Sequence, residues 1–297
     1  MLGISVVIPT YRRERVLVET LEHLLRQSEA ADEVLVIDQT QEHEAATIKR
    51  LEQLQAQRAI RWIQQQPPSI TAAMNRGLLD ARCDVVLFVD DDIVPDSSLL
   101  STHRAAHTSR SKTVVAGRVI QPWQVEAPGQ NSTDSTGAGV EPGWVDEFMG
   151  GNFSIRRADA LELGGFDENF VQVAYRFEAE FANRFRAAGG RIRFEPAACL
   201  HHLHEGRGGT RSYGRHLTTA RPAHAVGAYY YALRTQTRGR CLGDCLSRPL
   251  RAIATRHHLR RPWWIPVTLV SELRGLRWAR RLHRAGPKLI GATKNGL

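Results

Sequence analysis

Over the first third of the chain, apolar residues alternate between short runs and helical stripes. Ile4 to Ile8 is a β-branched run ending at Pro9, which predicts a strand. Glu14 to Gln27 places Val16, Leu17, Thr20, Leu21, Leu24 and Leu25 on one helical face. Glu33 to Ile37 is a second apolar run, and it stops at Asp38. Glu42 to Gln57 carries Ala45, Ile48, Leu51 and Leu54 at helical spacing. After Pro67-Pro68, either Ser69 or Thr71 is placed to cap a helix reaching Arg82. Asp84 to Val89 is a third strand and runs straight into Asp90, Asp91 and Asp92. This β-α-β-α-β order predicts an α/β fold with a parallel sheet and right-handed crossovers. Ligands of such sheets bind beyond the carboxyl ends of the strands. Pro9-Thr10-Tyr11, Asp38 and the aspartate triplet all stand at such ends, so three polar turns converge on one edge.

Further along, the pattern changes. Gln121 to Gly143 is rich in Pro, Gly, Ser and Thr, which predicts a mobile surface loop. Order resumes at Gly150 to Ile155, followed by helices over Arg157–Leu163 and Glu178–Ala188 and a strand at Arg191–Phe194. Beyond about residue 215 the chain reads as helical and basic. From Leu200 to Leu297 there are 19 Lys and Arg against 3 acids, while residues 1–199 hold 21 bases and 28 acids. An acidic front and a basic back predict an anionic partner for the back. Within it, Pro262 to Val267 precedes Leu269, Leu273, Leu276, Trp278 and Leu282, interleaved with Arg274, Arg277, Arg280, Arg281 and Arg284. Two readings of this stretch stand. It is an amphipathic helix lying on an anionic membrane surface, or it packs on the body of the protein with a solvated basic face. Nucleic acid has the least support, because no helix-turn-helix, zinc or RNA-binding motif accompanies the charge.

Composition narrows the class. With 297 residues, 42% hydrophobic and 24% charged, the chain suits one large domain with an appendage or two modest domains, and not a disordered protein. Cys83, Cys199, Cys241 and Cys245 form no CxxC pair, so they read as reduced thiols in a reducing compartment. No apolar run reaches the length of a membrane-spanning helix, and the N-terminus lacks the features of a signal peptide. The expected location is cytoplasmic, with peripheral attachment to the cytoplasmic membrane face through the basic end.

The chemistry centres on Asp90, Asp91 and Asp92. Like charges 4 Å apart cost about 4 kcal/mol at an effective dielectric near 20. Such a cluster needs a counter-charge, and hard divalent cations take oxygen ligands. The plainer alternative is a solvated acidic turn or helix cap. Placement after a buried strand on the converging edge favours a metal site. Downstream, His201, His202 and His204 cluster before Gly206-Arg207-Gly208-Gly209-Thr210-Arg211, which suggests ligation of metal or phosphate.

At these residues the chain resembles family 2 glycosyltransferases of the GT-A fold. The resemblance rests on Val6 to Arg13, the strand ending at Asp38, Asn75-Arg76-Gly77-Leu78, Phe88 to Asp92, Gly150 to Arg156, and Gly164 to Asp167. It covers roughly residues 3 to 212. It implies an inverting transfer from a nucleotide-sugar donor, dependent on Mn2+ or Mg2+. By the resemblance, Asp90 and Asp92 hold the metal, and Asp90 and Asp91 face the diphosphate. Pro9, Thr10, Tyr11 and Asp38 border the nucleoside, and Asn75 and Arg76 lie near the phosphates. His202 is best spaced to be the third metal ligand, with His201 and His204 as alternatives. Arg207 and Arg211 are placed to close over the diphosphate. The segment Phe177-Glu178-Ala179-Glu180-Phe181 matches the family's Glu-Asp-x-Glu-Leu, which makes Glu178 the general base, with Glu180 the fallback.

Three departures stand out: Gln39 follows Asp38 where many members have a second Asp, Met74 precedes Asn75 where many have Arg, and Glu178 replaces Asp. The chain is therefore expected to hold a GT-A catalytic domain over residues 1–215 and a basic helical extension over residues 216–297. It would transfer a sugar to a hydroxyl of a glycan or lipid-linked glycan. Two rival readings are a nucleotidyltransferase using the same carboxylates and a non-catalytic basic scaffold. The first is weakened by the absence of glycine from Pro9-Thr10-Tyr11-Arg12-Arg13.

Overall fold

The computed structural model describes residues 2–108, 112–125 and 141–291. Its first half contains β1 (Ile4–Thr10), α1 (Arg15–Leu25), β2 (Glu33–Asp38), α2 (Ala45–Ala56), β3 (Arg61–Gln64), α3 (Ile70–Asp80) and β4 (Val85–Val89). Next come β5 (Ile93–Pro95), α4 (Leu99–Ala106), β6 (Thr113–Ile120), α5 (Pro122–Val125), β7 (Gly143–Val145) and β8 (Asn152–Arg156). The chain continues through α6 (Arg157–Glu162), α7 (Phe177–Ala187) and β9 (Arg191–His202). It closes with α8 (Val226–Thr235), α9 (Arg238–Ile253), α10 (Arg256–Arg260) and α11 (Ile265–Ala285).

The strands join in one sheet, in the order β3-β2-β1-β4-β8-β6-β9-β5, with β7 pairing β9. β1, β2 and β4 are parallel, as expected, and β3 joins them in the same direction; β8 is antiparallel to both β4 and β6. Alternate residues of the same strand feed opposite faces. Val7, Leu35 and Phe88 join one apolar cluster, and Val6, Val36 and Leu87 join the other. Burial on both faces explains the uninterrupted apolar runs. β1 is the point where strand order reverses, with β2 on one side and β4 on the other. A crevice therefore opens beyond the ends of β1 and β4, as expected at a topological switch point.

Local signals decide several boundaries. Ser69, not Thr71, caps α3, its hydroxyl accepting the Ala72 N–H at 3.3 Å. α3 ends at Asp80 and not at Arg82. The strand expected over Arg191–Phe194 continues to His202, with a register shift in its pairing with β6. β3 and β6 were not expected from the pattern. Of the loop expected over Gln121–Gly143, residues 126–140 lie outside the described residues, and Pro122–Val125 forms one helical turn.

The C-terminal helices share the core. Val226, Tyr229 and Tyr230 of α8 are buried in the cluster that holds Phe88 and Phe153. Tyr230 packs on Phe170 with ring centroids 5.1 Å apart. α11 sets its small residues inward: Ala279 is buried and Gly275 abuts Ala225. The chain then returns to the turn after α6, where Lys288 N donates to Asp167 Oδ1 at 2.9 Å and Ile290 N to Gly164 O at 2.8 Å. Among the described residues no helix is long and apolar enough to cross a membrane.

Candidate active site

A cleft of about 800 Å³ occupies the predicted edge. Pro9, Thr10 and Tyr11 at the end of β1 line one wall. Asp90, Asp91 and Asp92 after β4 form its floor, and His202, Thr210, Arg211 and Glu178 complete it.

Asp90, Asp92 and His202 each offer a ligand atom, and these atoms lie within 4.8 Å of one another. His202 Nε2 is 3.0 Å from Asp92 Oδ1 and 3.9 Å from Asp90 Oδ2. Its other ring nitrogen, Nδ1, is 3.0 Å from Gln121 Oε1. An Nδ1–H donated to that carbonyl leaves the Nε2 lone pair facing the carboxylates, the usual way an outer partner fixes a metal-binding tautomer. Asp92 Oδ1 is buried and accepts no well-aligned hydrogen bond from the protein. The charged ring would offer a proton to Asp92 Oδ1; once the ring is neutral, its lone pair and that buried oxygen face the same space, which fits a bound cation. Two carboxylates and one imidazole suit a divalent ion such as Mn2+ or Mg2+.

His201 points elsewhere. On a strand, neighbours face opposite sides, and its Nε2 lies 3.7 Å from Asp96. His204 packs edge-on to Trp123, with centroids 5.4 Å apart.

The counter-charge for the triplet is Arg13. It is 5% exposed; its Nε donates to Asp91 Oδ1 at 2.9 Å and its Nη2 to Asp92 Oδ2 at 3.2 Å. Nη1 donates to the carbonyls of Glu205 and Arg207, so one guanidinium joins the triplet to the following loop. Asp92 Oδ2 also accepts the Glu205 N–H at 2.8 Å, and Gly209 N donates to Tyr11 O at 2.7 Å. Arg211 donates to the Glu205 carbonyl and faces the cleft.

These contacts separate the three acids. Burial pushes Asp91 up to about 6, with Arg13 opposing it. Asp90 is held above its ordinary value by the surrounding walls of the cleft, although half of its side chain faces open space; Asp92 adds to the rise and His202 opposes it. Burial also works against Asp92, but His202, Arg13 and the Glu205 amide outweigh it and hold Asp92 low. Burial disfavours the charged His202 ring, yet Asp92 and Asp90 outweigh it and raise its pKa.

Glu178 stands in the first turn of α7, partly open to the cleft. Burial of its carboxyl, with the Asp90 charge adding, pushes it up to about 7. A Cβ on Gly151 would lie 2.1 Å from Asp90 Oδ2, and one on Gly150 would lie 2.9 Å from Glu178 Oε1. The two carboxylates therefore press on neighbouring residues of one turn that has no room for side chains. The loop before α7 is strained: Gln172, Ala174 and Arg176 have φ of 63°, 54° and 74°. Such backbone persists where surrounding contacts over-determine it, often at functional sites. Here Arg176 forms a two-point pair with Glu147 at 3.0 and 2.9 Å, and its guanidinium lies over the Tyr231 ring of α8.

Like His201, His204 and Arg207, the candidates Asp38, Asn75, Arg76 and Glu180 lie outside the cleft lining. Asp38 is fully buried, held by His43 Nε2 at 2.7 Å, Trp62 Nε1 at 2.8 Å and Thr40 N at 2.9 Å. Gln39 lines the cleft beside it. Asn75 is buried and pins α3 to Phe166, donating to its carbonyl at 2.8 Å and accepting its N–H at 2.7 Å. Arg76 pairs with Asp80 on the surface. Glu180 is buried and accepts from Arg184 Nε at 2.7 Å.

Arg13 and Gln121 contact the candidate metal ligands and were not singled out by sequence reasoning. For Arg13 the signal was present, since the triplet demanded a cation and Arg13 stands on the same edge. For Gln121 there was none.

The model of the glycosyl transferase family 2 domain matches residues 5–178. The chain belongs to that family. The match favours glycosyl transfer over the nucleotidyltransferase and scaffold readings. Solved structures of similar fold include GalNAc-T7 with UDP, GalNAc and Mn2+, at TM-score 0.57 and 16% identity over 79% of this chain. The family 2 chain spans 50% of that protein's length. The mannosyltransferase PcManGT from Pyrobaculum calidifontis, in complex with GDP-Man and Mn2+, matches at TM-score 0.56 and 17% identity, covering 96% of this chain and 79% of that one. S. aureus TarS residues 1–349 with UDP-GlcNAc matches at TM-score 0.56 and 16% identity, covering 96% and 92%. These likenesses establish the GT-A fold. No curated protein matches the chain by sequence.

Proposed function

We propose that the protein transfers a sugar from a nucleotide-sugar donor to a hydroxyl of a glycan or lipid-linked glycan, with inversion. The observation that carries this reading is the pairing across Gly150-Gly151. A carboxyl near neutral pKa stands on one side, and the Asp90–Asp92–His202 ligand group on the other. In this reading the nucleoside lies against Pro9, Thr10, Tyr11 and Gln39. The diphosphate lies toward Asp90, Asp91 and Arg211. Asp90, Asp92 and His202 would hold Mn2+ or Mg2+, and the bound ion would supply positive charge to the departing diphosphate. Glu178 accepts the proton of the acceptor hydroxyl as that oxygen attacks the anomeric carbon. The glycosidic bond forms as the bond to the diphosphate breaks from the opposite face, which inverts the centre. Structures of similar fold solved with Mn2+ and with UDP- or GDP-linked sugars support this reading.

Residues 1–215 would carry the chemistry. Residues 216–297 would brace the acceptor side of the cleft and hold the protein peripherally at the cytoplasmic face of an anionic membrane. A panel of UDP- and GDP-sugars, with Mn2+, with Mg2+ or with chelator, tests the reading through nucleoside diphosphate release. One donor should turn over with a divalent ion and stop with chelator. Release independent of metal, or none with any donor, would overturn it. NMR of the product's anomeric configuration checks inversion.

A further inference from the structure

α9 buries no residue along its length. Leu242, Leu246 and Leu250 recur at every fourth position and are 60%, 66% and 65% exposed. Residues at this spacing form one stripe along a helix. Arg248 lies on the other side of α9, its Nε 3.0 Å from Glu272 of α11 and its guanidinium over the Tyr229 ring of α8. The leucine stripe therefore faces away from the protein body. Beyond α9, Leu259 and Trp263 are 83% and 66% exposed. Exposed arginines accompany both groups: Arg240 and Arg251 on α9, and Arg256, Arg260 and Arg261 around Leu259 and Trp263.

Contiguous exposed apolar residues with a polar rim mark an interaction surface. Charge selects the occupant. A second copy would bring the same arginines together. A nucleic acid would satisfy the arginines and leave the leucines in water. An anionic lipid surface satisfies both, with apolar side chains at the acyl boundary and arginines at the headgroups. We propose that α9, together with the turn around Leu259 and Trp263, seats the protein on an anionic lipid bilayer. The contact falls on α9, whereas the apolar pattern of the sequence pointed to α11, whose Leu276, Trp278 and Leu282 are packed against the core and whose Leu269 and Leu273, at 38% and 50%, are less exposed than the α9 leucines. This docking does not depend on the transfer reaction and is measured without donor or metal.

The test is co-sedimentation of the full chain with vesicles of phosphatidylcholine, alone or mixed equally with phosphatidylglycerol. The parent protein should sediment with the mixed vesicles and stay in solution with the neutral ones. Combined L242S, L246S and L250S should weaken binding to mixed vesicles by at least about tenfold, equivalent to about 1.4 kcal/mol. Combined R256Q, R260Q and R261Q, which leave the stripe untouched, should weaken binding and flatten its salt dependence. Three results would each refute the docking: no sedimentation of the parent protein, sedimentation of the leucine variant equal to the parent's, or a parent dimer that the leucine variant breaks while vesicles bind neither.

Discussion

In the proposed transfer Glu178 is the general base, and its environment makes a prediction about pH. A general base must be ionised to accept a proton. With its pKa raised to about 7, the group is protonated and inactive in acid, and kcat/KM should rise as pH increases toward that value. A cation on Asp90 would cancel part of the repulsion, so the limb should fall between the ordinary carboxylate range and 7. Glu178→Gln should lower transfer by roughly 10²–10⁴-fold while the thermal shift with donor and Mn2+ persists. A variant that keeps its rate would remove Glu178 from the mechanism. Side-chain direction limited what the sequence could say at this scale. The strand ends and the triplet were legible because apolar runs stop at polar residues. That Asp38 is held by His43 and Trp62 was not, because Trp62 comes from β3, a strand the pattern did not show. The same holds for His202 against His201, since the pleat sends neighbours to opposite faces and register is fixed only in three dimensions.

At the scale of elements, α8 and the loop before α7 fit without slack. A Cβ on Gly227 would lie 2.5 Å from Tyr175 O and 2.9 Å from Tyr175 N, both backbone atoms. Neither side can yield by turning a side chain. Gly227→Ala should therefore destabilise the protein by about 1–3 kcal/mol, read in a denaturant melt, and raise KM for acceptor more than for donor. Equal stability of the variant would mean that the loop is free to move. Periodicity served well for α1 and α2, where Leu17, Leu21 and Leu24, and Leu51 and Leu54, are buried as the spacing predicts. It served badly for β3, where Arg61, Trp62 and Ile63 are only half-buried at the sheet edge and show no alternation. In α9 the periodicity is real but faces solvent, so an apolar stripe alone did not say whether it meets a core or a partner.

For the whole molecule, the parallel pairing of β1, β2 and β4 was implied by the strand–helix alternation, while the antiparallel β8 and the embedding of the C-terminal helices were not. Their basic surface suggested an appendage, yet α8 contributes some of the largest fully buried side chains, Tyr229 and Tyr230. α8 touches the strained loop through Gly227 and Tyr231, α11 through the turn at Ala225, and α9 through Tyr229. Covered on these sides, its amides can meet solvent only when the surrounding body comes apart. In native-state hydrogen exchange they should remain protected as long as those of the central strands. Amides of α9 should be labelled early, through openings that leave the rest of the molecule intact. Two consecutive helices would then mark opposite ends of the protein's range of opening free energies.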